Sequence, residues 1–258
     1  MEKLVKLSKL VAVLSATSLF CLGSAHATLI SGSSLQTALT TAPNAAIVNV
    51  NTDQLAPDSY WAMGGTNLSI NVLMFELTTP NASANAFGLF DRSNPNNKLQ
   101  IFGGSAVGGD AGITQLRVGA YGNCFGLFPN VNDANCAGST GGTKLFGSRA
   151  FGFYLSNGQY TYYSDSDLNS DYKADHMVAF EGNSNGSRGT LNGSTWLSNE
   201  YLLAWEDTAR ASSTDTGALG DFDDFVVLVE SVTNVPEPSS LALIGLGLLG
   251  LGIRSRKK

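Results

Sequence analysis

Ala150-Phe-Gly-Phe-Tyr-Leu155, Ser156-Asn157-Gly158, Gln159-Tyr-Thr-Tyr-Tyr163 is the stretch that decides the fold. Two short aromatic runs flank a Ser-Asn-Gly break, the pattern of two strands joined by a tight turn. The same grammar extends in both directions. Strand-like runs occur at Ala46–Val50, Leu68–Leu77, Ala86–Phe90, Lys98–Phe102 and Gln115–Val118, and again at His176–Glu181, Tyr201–Trp205 and Phe225–Val232. Gly, Asn, Ser and Asp separate them, and Asn185-Gly186 and Asn192-Gly193 mark further turns. No segment between the two ends of the chain holds a sustained helical period. About ten short strands punctuated this way predict an antiparallel β-sandwich, jelly-roll-like in its winding.

The two ends follow different rules. Lys3, Lys6 and Lys9 precede an apolar stretch from Leu10 to Gly23, and Ala25-His26-Ala27 fits a small-x-small cleavage site. Residues 1–27 therefore read as a signal peptide, removed by signal peptidase, with Thr28 opening the mature chain. At the other end, residues 235–258 begin with Val-Pro-Glu-Pro-Ser-Ser. They continue through an apolar run from Leu241 to Ile253 and finish with Arg254, Arg256, Lys257 and Lys258. Pro236 and Pro238 hold Glu237 in extended backbone. As a helix, residues 239–253 would span roughly 22 Å at ~1.5 Å per residue. That is short of a ~30 Å hydrocarbon core unless the flanking basic residues snorkel. The basic end is expected to stay cytoplasmic while 239–253 holds the inner membrane transiently.

This Pro-Glu-Pro, apolar run and basic end resemble the PEP-CTERM sorting signal of Gram-negative bacteria. The resemblance implies that Pro236, Glu237 and Pro238 are recognised by exosortase, which removes the tail. It further implies delivery to the cell surface or to an exopolysaccharide (biofilm) matrix.

Between the two addresses, residues 28–234 are long enough for one domain with its own core. The chain has 15 basic and 21 acidic side chains. The signal segment takes three Lys and Glu2; the tail takes its four basic residues and Glu237. The middle keeps 8 basic against 19 acidic side chains, a net charge of about −11. Such a domain repels nucleic acid and attracts cations. Cys124 and Cys136 remain after Cys21 leaves with the signal peptide. In an oxidising compartment they are expected to form a disulfide, worth roughly 3 kcal/mol for a loop of this size. Two Cys without a nearby His make a poor metal set.

The acidic side chains gather between 165 and 224. Asp165, Asp167, Asn169 and Asp171 place oxygen ligands at alternate positions, the spacing with which a looping chain can hold calcium. The stretch starts like an EF-hand loop but lacks the sixth-position glycine, and its twelfth position is His176. A second group, Glu206 and Asp207 with Asp221, Asp223 and Asp224, closes one predicted strand and opens the next. Pairing of those strands would bring the carboxylates to one rim, where they need a cation, hydrogen bonds or solvent. Calcium is the expected cofactor; a solvated acidic rim is the alternative.

The order Asp175-His176, Leu203-Ala204-Trp205-Glu206-Asp207, Asp221-Phe222-Asp223-Asp224 also resembles the C-terminal half of secreted bacterial domains grouped as domain of unknown function 4114. The similarity spans roughly residues 145 to 232. Phe222 and Asp223 stand where Tyr and Asn are commoner, and Leu219 replaces an Asp often seen there. The resemblance implies a β-rich extracellular domain and supplies no activity.

Catalytic constellations are weak. Gly182-Asn-Ser184-Asn-Gly186 matches the letters of a nucleophile elbow, but no helix follows and the one histidine outside the signal segment, His176, precedes it. His176 reads as a structural residue bonded to a carboxylate or to backbone. Among Glu76, Glu181, Glu200 and Glu206 no spacing singles out a glycosidase pair. Trp196 and Trp205 are candidates for stacking on sugar rings. The sequence therefore reads as a non-enzymatic structural or binding domain, with a calcium-dependent carbohydrate-binding module as the alternative and a glycan-active hydrolase behind it.

Overall fold

The computed structural model describes residues 30–63, 68–75, 84–104, 111–119, 122–126, 143–214 and 219–235. The signal peptide with Ala25 and Ala27, the tail with Pro236, Glu237 and Pro238, and Cys136 lie outside the described residues. In chain order the elements are helix α1 (Ser34–Thr40), then strands β1 (Ala45–Ala46), β2 (Trp61–Ala62), β3 (Leu68–Phe75), β4 (Ala86–Asp91), β5 (Asn94–Phe102), β6 (Ala111–Gly119), β7 (Gly122–Gly126) and β8 (Thr143–Phe146). They continue with β9 (Ala150–Ser156), β10 (Thr161–Tyr163), β11 (Met177–Glu181), β12 (Gly189–Leu191), β13 (Ser194–Thr195), β14 (Glu200–Trp205), β15 (Phe225–Glu230) and β16 (Thr233–Asn234).

The opening hairpin is β9 with β10, Ser156 facing Thr161. Its turn is longer than an Asn-Gly pair: the Asn157 carboxamide oxygen accepts from the backbone N–H of Gln159 (3.0 Å) and of Tyr160 (2.8 Å). That side-chain bridge keeps Gln159 and Tyr160 out of the strand. Asn192-Gly193, both at positive φ (48° and 78°), makes the tight two-residue turn between β12 and β13.

All pairings are antiparallel. One sheet runs β16-β2-β9-β4-β5, with β10 also on β9; the other runs β11-β14-β15-β3-β6-β7-β8. The pairings nest, β4 with β9 inside β3 with β15 inside β2 with β16, as when one long ribbon rolls up. The fold is thus an all-β sandwich. Trp61, Phe87, Phe151 and Phe153 from the first sheet meet Met177, Trp205, Phe225 and Val227 from the second across an aromatic core.

Strands β11, β14 and β15 of the seven-stranded sheet are buried on their other face too. Val178, Phe180, Leu202, Ala204, Val226 and Leu228 pack on Leu35 and Leu39 of α1, on Val48 and Val50, and on Leu191 and Trp196. A third sheet, β1-β12-β13, closes this layer. Burial on both faces explains why β14 and β15 read as unbroken apolar runs without polar alternation. Helix α1 is a helix because its two buried leucines, Leu35 and Leu39, sit one turn apart over that face. Seven residues are too few to show a period.

Candidate metal centre

β14 and β15 pair from Glu200–Glu230 to Trp205–Phe225. The residues just past Trp205 and just before Phe225 therefore share one rim, as the sequence predicts. There Glu206, Asp207 and Asp224 each offer a carboxylate oxygen, all within 4.8 Å of one another. Glu206 and Asp207 are buried, 5% and 4% exposed.

Each carboxylate is held by a different element. Asp224 accepts from the backbone N–H of Asp207 (2.9 Å), a bond across the hairpin mouth. Asp207 accepts from the Asn85 amide (3.2 Å), which arrives from the head of β4 in the opposite sheet. Asn157 of the β9–β10 turn donates to the Asp207 main-chain oxygen (3.0 Å). Glu206 accepts from the Thr208 N–H (3.3 Å) and lies against Gly220 so closely that any Cβ there would collide with it. Beneath the rim, fully buried His176 contacts the Glu206 main-chain oxygen through Nδ1 (2.8 Å) and Asp171 through Nε2 (2.7 Å), with Tyr162 stacked at 3.8 Å. It is the structural histidine that the sequence indicates.

Electrostatically the rim is overfull of negative charge. Burial, then the hydrogen bond and charge of Glu206 and the charge of Asp207, push Asp224 up to about 7. The Tyr162 phenol is pushed up by burial and by the charges of Asp171 and Asp207. The carboxamide oxygen of Asn85, on a residue 1% exposed, has no hydrogen-bond partner among the described residues. Three converging carboxylates offer hard oxygens, the kind calcium takes.

The other expected ligands lie elsewhere. Phe222 adopts positive φ (56°) and buries its ring completely in the outer-face core. Asp221 on one side of it accepts from the Ser34 hydroxyl (2.6 Å) at the start of α1. Asp223 pairs with Asp221; burial first, then that partner's hydrogen bond and charge, push it up to about 6. Only Asp224 of the three reaches Glu206 and Asp207.

The 165–171 stretch does not converge. Asp165 accepts from the Asp167 N–H (3.1 Å) at a 3-10 turn and from the Tyr60 hydroxyl. Asp167 pairs with exposed Lys173 (2.8 Å). Asn169, buried, bonds the Tyr163 N–H and the Tyr163 and Ala174 carbonyls. Asp171 accepts from His176 and from the Arg210 N–H (2.7 Å). Most of these oxygens answer a local demand of the fold, although Asp171 Oδ1 is buried with no hydrogen-bond partner among the described residues, and no three of the carboxylates come together.

Trp196 and Trp205 are corrected from stacking platforms to core residues, 1% and 0% exposed. Trp205 lies between the sheets, edge-on to Phe87 at 6.1 Å; Trp196 donates to the Glu200 carbonyl (3.0 Å). Neither offers a ring face to a glycan. Gly182–Gly186 forms a turn, with Gly186 at φ 67° donating to the Asn183 carbonyl (3.2 Å). Glu181 lines a polar cleft of about 250 Å3 with Asp53, Gln54, Asn183 and Arg188. Glu200 and Glu206 are not part of its lining, and Glu76 lies outside the described residues. Cys124 sits in β7, its partner position outside the described residues.

A family model described as the PEP-CTERM protein-sorting motif matches residues 234–257. The chain thus carries the signal of exosortase-sorted exported proteins, and its export passes through membrane-associated sorting. Comparison with curated proteins and with solved structures gives no match. Among the described residues, no helix is long and apolar enough to cross a membrane.

Proposed function

We propose that residues 28–234 are a calcium-stabilised, non-enzymatic β-sandwich that exosortase sorting delivers to the cell surface or its exopolysaccharide matrix, where it serves as a structural or binding domain. The observation that carries the calcium is the convergence of Glu206, Asp207 and Asp224 within 4.8 Å at a largely buried rim. Repulsion there opposes folding unless protons or a cation offset it. Calcium is abundant outside the inner membrane and matches carboxylate and amide oxygens. The burial of Trp196 and Trp205 favours the structural reading over a sugar-stacking module.

Residues 27–235 cluster as one compact unit with its own core, so the test uses that unit. Its thermal midpoint is measured with calcium and with chelator. A ligand at about a hundredfold excess over Kd stabilises by about 2.7 kcal/mol. For a domain of this size that is a rise of about 5–10 °C. An unchanged midpoint would overturn the calcium reading and leave the rim a cluster of hydrogen-bonded acidic side chains.

A further inference from the structure

β16 is two residues long, pairs only with β2, and forms the outer edge of its sheet. Its hold on the domain is nevertheless well defined. The Thr233 hydroxyl donates to the Ala62 carbonyl (3.2 Å) and the Asn234 amide to the Pro57 carbonyl (2.7 Å). The Val235 N–H donates to the Tyr60 carbonyl (2.8 Å), and its side chain packs against Tyr60, Phe90 and Tyr154. The sorting motif begins at residue 234, so its first two residues are themselves held by the fold.

No spacer separates fold and signal. In the chain, Glu237 is only two positions beyond Val235. An enzyme that grips extended chain needs backbone groups on both sides of its target, and here the upstream ones are bonded to the domain. Upstream release has a fixed limit: Val232 is 1% exposed in the inter-sheet core, and Ser231 turns the chain at φ 68°. The movable piece is therefore 233–235, about 10 Å of extended chain. Its loss leaves β2 still paired with β9.

We infer that β16 with Val235 is a strap that must peel from β2 before the sorting enzyme can engage the Pro236-Glu237-Pro238 segment. The domain edge and the enzyme compete for the same backbone. This rests on the exosortase reading of the tail.

The test follows conversion of the full chain by pulse-chase in a cell that carries the sorting enzyme. Thr233 and Ala62 are register partners, and Thr233 precedes the matched motif. The double variant Ala62→Cys with Thr233→Cys locks the strap outside the inner membrane, where disulfides form. Conversion is expected to slow by about tenfold and to recover with reductant, while each single variant converts at the wild-type rate or faster. A flexible Gly/Ser spacer between Thr233 and Asn234 restores conversion in the locked background. Equal rates for locked and unlocked chains would overturn the strap, provided Glu237→Ala abolishes conversion. Conversion that survives Glu237→Ala would instead overturn the sorting reading on which the strap rests.

Discussion

Two acidic stretches, similar in composition, end in opposite situations. Residues 165–171 lie in a loop where Asp167 meets Lys173, Asp171 meets His176 through one of its two oxygens, and Asn169 meets three backbone groups. Residues 206–207 and 224 are drawn together by strand pairing, which fixes their separation without regard to charge. Local sequence can satisfy itself; a long-range register cannot. Acidic spacing along the chain is thus a weaker guide to where carboxylates converge than the strand ends on which the acids fall.

The contrast can be broken most directly by Asp207→Asn combined with Asp224→Asn, which should abolish the calcium-dependent rise of about 5–10 °C. If the rise survives, the rim is not its source. Next in size is Asn169→Ala, which strands two buried carbonyls and an N–H and should cost about 1–3 kcal/mol in denaturant melts. Calcium should leave that loss unchanged, because Asn169 serves the fold and not a cation.

pH sharpens the comparison further. Folded Asp224 keeps its proton up to about 7 and Asp223 up to about 6, whereas the unfolded chain releases both near the ordinary carboxylate range. The folded state binds more protons in that window, so metal-free stability should fall as pH rises from about 4 to about 7. Saturating calcium should flatten the part of the fall that comes from Asp224 and leave the part that comes from Asp223. A metal-free midpoint that climbs across the same window would contradict the crowding of the rim.

Smaller still is the effect of Asp224→Asn alone without metal. It removes one repelling charge and keeps an oxygen for the Asp207 N–H, so the midpoint in chelator should hold or rise by about 1 kcal/mol equivalent. Smallest is Asp167→Ala: its partner Lys173 is solvent-exposed, and neither the midpoint nor the calcium response should move.

Much of the architecture was legible in the sequence because strands such as β9, β11, β14 and β15 carry concentrated apolar signal and turns carry Asn-Gly. The short elements were not. β2 and β16 have two residues each, and α1 offers only Leu35 and Leu39. The rim was legible where it follows from adjacent strand ends, at Glu206, Asp207 and Asp224. Asn85 was missed because it joins Asp207 across 122 residues, with no local pattern to announce it. The separation of Asp221 and Asp223 from the rim was hidden in the positive φ of Phe222, a conformation that side-chain chemistry does not declare.

The nested pairings set a schedule. Export threads the chain N-terminus first, yet β2 waits for β16 and β3 waits for β15. Contacts of such sequence separation form slowly, and none of these can form until nearly all of the chain has crossed. Closure of the sandwich and arrival of the sorting signal at the membrane are therefore almost the same event. A chain that stalls in transit shows the outside neither a finished domain nor a signal to be cut.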